Sequence, residues 1–143
     1  MDNFIDYLIP NYFVGNYDWG HKNWFATRHA GDPGGLWRFH HWDGEHLMEN
    51  LNENVTGRDN AGGPSRLQQR LAQNAEYRLL FADHVHRHFF NEGALTPKGA
   101  IALYRIRLND VDRAAVGESA RWGDNQIDRF AHIRYMRDPH WLL

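Results

Sequence analysis

Gly31-Asp32-Pro33-Gly34-Gly35 is the stretch that most limits what this chain can fold into. Three glycines and a proline in five residues suit neither a helix interior nor a strand interior, and they turn the backbone on itself. Trp24-Phe25-Ala26-Thr27 precedes the turn. Leu36 to Trp42 follows it, with Leu36, Arg38, His40 and Trp42 alternating with Trp37, Phe39 and His41. The two runs predict a β-hairpin spanning Asn23 to His41. Both faces of the returning strand carry aromatic groups, so both are expected to be partly covered.

The remaining apolar patterns are helical, so the predicted fold class is mainly α with a small β-hairpin (α+β). Phe4, Ile5, Leu8, Ile9, Tyr12 and Phe13 recur at helical spacing, with Asp2 or Asn3 as N-cap. Pro10 should kink this helix or delay its start, and Gly15-Asn16 should end it. Pro64-Ser65 starts a short helix with Leu67 and Leu71 inward. Asn74 caps the next, with a stripe of Tyr77, Leu80, Phe81, Val85 and Phe89 that Gly93 terminates. Thr96-Pro97 opens a long helix running to Ser119, with Ile101, Tyr104, Leu108, Val111 and Ala115 on one face. Ile127, Phe130 and Ile133 suggest a further helical segment. Asp138-Pro139 then begins a helix that the last four residues do not complete, which reads as a sign of truncation.

The chemistry sits around the hairpin. Asp18 and Asn23 are five residues apart in an aromatic-rich loop, and Asp43 follows the returning strand. An acid, an amide five residues on, a hairpin and a second acid is the order of a protein-kinase catalytic half. There the first acid orients the substrate hydroxyl, the amide holds a second magnesium, and the later acid bridges magnesium to the phosphates. Spacing alone is unspecific, since Asp6 and Asn11 repeat it in an apolar stretch with nothing kinase-like nearby. Context separates the two pairs: Tyr17, Trp19, Trp24 and Phe25 flank Asp18 and Asn23, and Trp42-Asp43-Gly44-Glu45 ends the hairpin.

In NYFVGNYDWGHKNWFA, LWRFHHWDGEH, RLQQRLAQNAEYRLLFADHVHRHFFNEGALTP and AVGESARWGD the chain resembles the CotH kinases, an atypical branch of the protein-kinase-like fold named for spore coat protein H. The likeness is closest to the long bacterial members and covers nearly the whole sequence. It implies a protein-kinase-like C-terminal lobe. Asp18 would be the catalytic-loop acid, Asn23 the loop's metal ligand and Asp43 the magnesium-binding acid, with Glu45 as a further metal-site acid. The implied cofactors are ATP and Mg²⁺ (or Mn²⁺), and the implied partner is a protein substrate with a Ser/Thr hydroxyl. The family often shows acid-x-acid-x-Ser/Thr at the last position. Asp43-Gly44-Glu45-His46-Leu47 instead carries the longer Glu and no hydroxyl.

A kinase also needs a glycine-rich lid over the phosphates and a strand lysine. Only 17 residues precede Asp18, and the lysines are Lys22 in the loop and Lys98 at a helix start. Residues 1–143 are therefore expected to form a single partial domain, a C-terminal lobe whose missing N-terminal lobe belongs to the full-length protein. Residues 46 to 64, polar and rich in Asn and Gly, hold the place of an activation segment. They read either as an ordinary surface loop or as a substrate-facing one.

A net charge of −2 points to neither a nucleic-acid nor an anionic-membrane surface. With no cysteine, thiolate metal sites are excluded. Asp2 and Asp6 break the first apolar run, so no signal peptide is read, and no run reaches membrane-span length. Ten histidines raise a metal question. His84 and His88 share a helix face at zinc-site spacing, but on or beside an apolar stripe, where packing or capping is the plainer role. His40, His41 and His46 surround Asp43, and His21 stands to orient Asp18. Three functions follow: a CotH-like protein kinase half-site needing its other lobe, a catalytically silent helical binding or structural module, and a metal hydrolase using His40, His41, His46 and Asp43.

Overall fold

The computed structural model describes residues 1–44 and 47–122, the side chain of Trp122 excepted. The elements are α1 (Asp2–Phe13), β1 (Trp24–Thr27), β2 (Arg38–His41), α2 (Gly63–Leu71), α3 (Ala75–Phe89) and α4 (Pro97–Trp122). The chain is mainly helical with one antiparallel hairpin. It forms one compact unit over Met1–Asn91 and a second that begins at Glu92.

The first unit is built on α1. Its cap is Met1, without a side-chain hydrogen bond, because the two expected capping residues are engaged elsewhere. Asp2 faces α3, and Asn3 clamps the hairpin, accepting from the Phe39 N–H at 2.6 Å and donating to the Phe39 carbonyl at 3.4 Å. The helix runs unbroken through Pro10. A proline in the last turn removes only the bond to the Asp6 carbonyl, which shortens the ladder without breaking it. Gly15, at φ +62°, then turns the chain out of the helix.

Phe4, Tyr7 and Leu8 of α1 form the core with Trp19 and Val55, and Tyr12, Trp24, Phe39, Leu71 and Phe81 pack around them. Phe39 supplies the hairpin's contribution, its ring 4.7 Å from Phe4 and 5.8 Å from Tyr7. The register pairs Trp24 with His41 and Ala26 with Phe39, so these four share the face toward α1. On the opposite face Phe25 stacks on His40 at 4.7 Å and meets Trp42 edge-on. That face stays open, with Phe25 41% and Trp42 63% exposed. The expectation of two covered faces therefore holds for one, since α1 supplies a cover on one side only.

α2 starts at Gly63, where φ is +58° and an added Cβ would fall 2.9 Å from the Gly20 carbonyl oxygen. Only glycine permits that approach. Buried Ser65 donates to the same carbonyl at 3.3 Å. Leu71 reaches the core as expected, whereas Leu67 is exposed and lines an apolar groove with Met1, Phe4 and Trp37. Asn74 caps α3 by accepting from the Tyr77 N–H at 3.0 Å. The Tyr77 hydroxyl bonds Gln68 of α2, and burial pushes the phenol up to about 12. α3 ends at Phe89 rather than at Gly93, because Phe90 is already extended and Asn91 takes φ 55°.

In the second unit Thr96 caps α4, its hydroxyl oxygen accepting from the Gly99 N–H at 3.1 Å. The helix passes Ser119 and continues to Trp122. Of its predicted stripe, Ala115 is buried while Ile101, Tyr104 and Val111 are exposed. The predicted segment with Ile127, Phe130 and Ile133, and the Asp138-Pro139 helix start, lie outside the described residues. No described helix is long and apolar enough to cross a membrane.

The Tyr7 hydroxyl donates to the Trp19 carbonyl at 2.6 Å in a buried setting, and burial pushes that phenol far up. Tyr7→Phe strands the carbonyl without its donor, so we expect a loss of about 1–3 kcal/mol in urea unfolding with an unchanged m-value. A loss below ~0.5 kcal/mol would show that the bond carries no weight in the fold.

Candidate active site

Residues 15–23 leave α1 and return as a loop held from beneath by a buried amide relay. Asn11 donates to the Tyr7 carbonyl at 2.8 Å and accepts from the Asn16 side chain at 2.8 Å. Asn16 in turn accepts from the Asp18 backbone N–H at 3.0 Å. All three side chains are buried. The relay sets the backbone of Asp18 against the last turns of α1, so its carboxylate inherits the position of a core helix. Neither Asn11 nor Asn16 stands out as a site residue in the sequence. The available signal was a lone amide inside an apolar helical run.

The Asp18 carboxylate is surrounded by three donors: Lys22 Nζ at 3.3 Å, Asn23 Nδ2 at 3.4 Å and His21 Nε2 at 3.5 Å. His21 thus stands beside the acid, as expected of it. The Asn23 amide also donates to the Asp43 backbone carbonyl at 3.1 Å. Hairpin register makes this possible. With Trp24 opposite His41, the Trp42 N–H reaches the Asn23 carbonyl at 3.1 Å and carries the pairing one step past the strands. Asp43 follows directly. Asn23 and Asp43 both adopt left-handed backbone, φ 59° and 52°, a region in which Asn and Asp are the commonest residues after glycine. Asp18, Asn23 and Asp43 are thereby brought to one place, while Glu45 and His46 lie outside the described residues.

The segment after the hairpin crosses this loop. The Met48 N–H donates to the Val14 carbonyl at 2.8 Å, and the Trp19 indole donates to the Val55 carbonyl at 3.3 Å. Arg58 lies 3.5 Å over the Tyr17 ring and pairs with Glu53 at 3.2 Å. Between loop and segment is an open cleft of about 270 Å³ lined by Gly15, Tyr17, Asp18, Glu49, Asn50 and Glu53. The segment is thus exposed over most of its length and yet borders Asp18.

The histidine arrangement does not support a hydrolytic centre at Asp43. His40 and His41 are neighbours on β2 and point to opposite faces. His40 bonds Thr27 Oγ1 at 2.8 Å and stacks on Phe25, whereas His41 lies 4.8 Å from the Tyr7 ring. They cannot meet at one ion with Asp43. What meets at the hairpin base is the Asp18 carboxylate, the Asn23 amide and the Asp43 main-chain carbonyl.

A family model described as CotH kinase protein matches residues 1–102. This chain belongs to the CotH kinase family. The matched segment takes in Asp18, Asn23 and Asp43 together with α1 to α3, and ends within α4. No curated protein and no solved structure matches the chain.

The bridging amide gives a test of this CotH-family loop that needs no substrate. Asn23→Gly keeps left-handed backbone and loses the two hydrogen bonds; Asn23→Ala loses both and adds strain. We expect both to be less stable than the parent in chemical denaturation, with the alanine variant lower than the glycine variant by roughly 1 kcal/mol. Equal stability of the two variants would place Asn23 outside the left-handed region.

Proposed function

We propose that the chain carries the hydroxyl-orienting and metal-holding half of an ATP-dependent protein kinase of the CotH type, acting on Ser/Thr hydroxyls of proteins. The observation that supports it most is the Asn23 side chain, which touches the Asp18 carboxylate and the Asp43 main chain at once. That contact joins residues far apart in sequence in the order a phosphotransferase requires. In this reading Asp18 orients the acceptor hydroxyl and takes its proton, with Lys22 and His21 holding the carboxylate toward the cleft. Asn23 and Asp43, with Glu45, would hold Mg²⁺ or Mn²⁺. Bound ATP would supply the phosphoryl group, and the metal would neutralise the charge that develops on it.

The reading leaves two jobs to another lobe. Neither lysine of this chain lies on a strand, and the strand pair among the described residues is the hairpin that joins Asn23 to Asp43, already used in the reading above. Without those parts the β-phosphate has no cradle, so the 143-residue chain alone should transfer phosphate negligibly. A second reading, a silent helical module, draws on the three donors already gathered on Asp18.

Labelled-phosphate transfer from ATP with Mg²⁺ or Mn²⁺ separates the two. The proteins compared are the chain alone, the chain joined to a glycine-rich, lysine-bearing lobe of a family member, and Asp43→Asn and Asp18→Asn in the joined form. We expect transfer to a protein hydroxyl only in the joined form. Asp43→Asn should abolish it by removing a metal ligand, and Asp18→Asn should lower it by about 10²–10⁴-fold. Full activity of the short chain, or indifference to Asp43→Asn, would assign the chemistry to other residues. An inactive joined form that folds and binds nucleotide would favour the silent module.

A further inference from the structure

A second polar cluster joins α1 to α3 and uses none of the residues assigned above. His84 is completely buried. Its Nδ1 lies 2.7 Å from Asp6 Oδ1, and its Nε2 lies 3.1 Å from Asp2 Oδ1. His88, one turn further along α3, brings its Nε2 to 3.1 Å from the same Asp6 oxygen. Both pairs, Asp2 with Asp6 and His84 with His88, are spaced i, i+4, so each presents two side chains on one face of its helix. One ligand atom from each of Asp6, His84 and His88 lies within 4.8 Å of the others.

From this geometry we infer a site for a divalent transition ion of the zinc class, with Asp6, His84 and His88 as ligands and Asp2 as the outer carboxylate on His84. Three features carry it. First, two imidazole nitrogens and one carboxylate oxygen form a donor set that zinc takes readily and magnesium or calcium does not. Second, the Asp2 contact fixes the ring: a proton on Nε2 donates to Asp2 and turns the Nδ1 lone pair toward Asp6 and His88. A carboxylate on the far nitrogen of a metal-bound histidine is the usual outer partner of zinc sites. Third, a neutral imidazole has one N–H and cannot donate to both carboxylates. An ion at Nδ1 resolves that without leaving a charged ring in a completely buried position.

The spacing fits as well. Tetrahedral bonds of about 2.0–2.1 Å put ligand atoms roughly 3.3 Å apart, so the 2.7 Å His84–Asp6 contact would open by about 0.6 Å and the 3.1 Å His88–Asp6 contact by about 0.2 Å. The two ring nitrogens, within 4.8 Å of each other, would draw in on the ion. Asp6 and His88 retain partial exposure, 44% and 27% of their side chains, which gives an ion a way in and leaves room for water as a fourth ligand. The ion would clasp α1 to α3. This inference is independent of the kinase reading.

The test is a titration of the full chain, stripped with chelator, with Zn²⁺ followed by calorimetry and by the histidine ring ¹⁵N resonances. We expect one ion per chain with a dissociation constant of about 1 µM or below, and shifts at Nδ1 of His84 and Nε2 of His88. A rise of a few degrees in Tm should accompany saturation. His88→Ala and Asp6→Asn should weaken binding by at least about 100-fold, and Asp2→Asn by about 10–100-fold. Excess Mg²⁺ should not compete. Absence of binding, or binding that moves only the rings of other histidines, would overturn the site and leave a hydrogen-bonded His–Asp cluster. That readout needs only the parent chain, so it decides even where a variant fails to fold.

Discussion

The position of the candidate site depends on how the loop after α1 is fastened to α1. Two hydrogen-bonded links do this, both buried: the Tyr7 hydroxyl on the Trp19 carbonyl, and the relay from Asn11 through Asn16 to the Asp18 N–H. A buried carbonyl or amide left without its partner costs on the order of 1–3 kcal/mol. The loop therefore cannot drift from the helix without stranding several such groups together. Asp18 sits between the two links, and Trp19 behind it fills the core with its indole hydrogen-bonded to Val55. A loop that would otherwise be mobile is given the precision of a helix terminus, as the hydroxyl-orienting role proposed for Asp18 would require.

The hairpin contributes from the other side. Its face toward α1 is anchored by Phe39, whose ring packs on Phe4 while its backbone is clamped at both polar atoms by Asn3. That clamp settles the register, and the register settles where Asp43 emerges relative to Asn23. A slip of one residue would turn Phe39 to the open face and carry Asp43 away from Asn23. Packing at Phe39 and geometry at the hairpin base are thus one constraint seen at two ends.

Much of this could be read from residue patterns, for identifiable reasons. The turn at 31–35, the Asn74 and Thr96 caps and the stripes of α1 and α3 are local signals, and local signals survive without tertiary knowledge. The approach of Asn23 to the Asp43 main chain follows from the same local signal, because a hairpin's register follows from its turn. What escaped were residues whose roles depend on distant neighbours. Asn3 reads as a capping residue until β2 lies beside it, and Asn11 as a blemish in an apolar stripe until Asn16 folds over it. His84 and His88 were visible as a pair, but Asp6, their third member, lies 78 residues from His84. The exposure of the α4 stripe could not be foreseen from its period, which says which residues share a face and not whether anything covers it.

The two acid–amide pairs with identical spacing show why a motif needs its backbone. Asp6 and Asn11 stand on a helix, where five residues turn through about 500°, leaving the side chains roughly 140° apart. They serve different neighbours accordingly: Asp6 meets His84 and His88 on α3, and Asn11 meets Asn16 in the loop. Asp18 and Asn23 stand on a non-helical loop that closes with Asn23 in left-handed backbone, and there the same spacing brings amide to carboxylate. The helical pair is no less engaged for failing to converge. By facing two ways from one rigid element, it places α3 and the Asp18 loop in a common frame. Hydrogen bonds therefore tie α1 to α3 at Asp6 and to the Asp18 loop at Asn11, and Pro10, which removes the helical bond to the Asp6 carbonyl, lies between the two attachments.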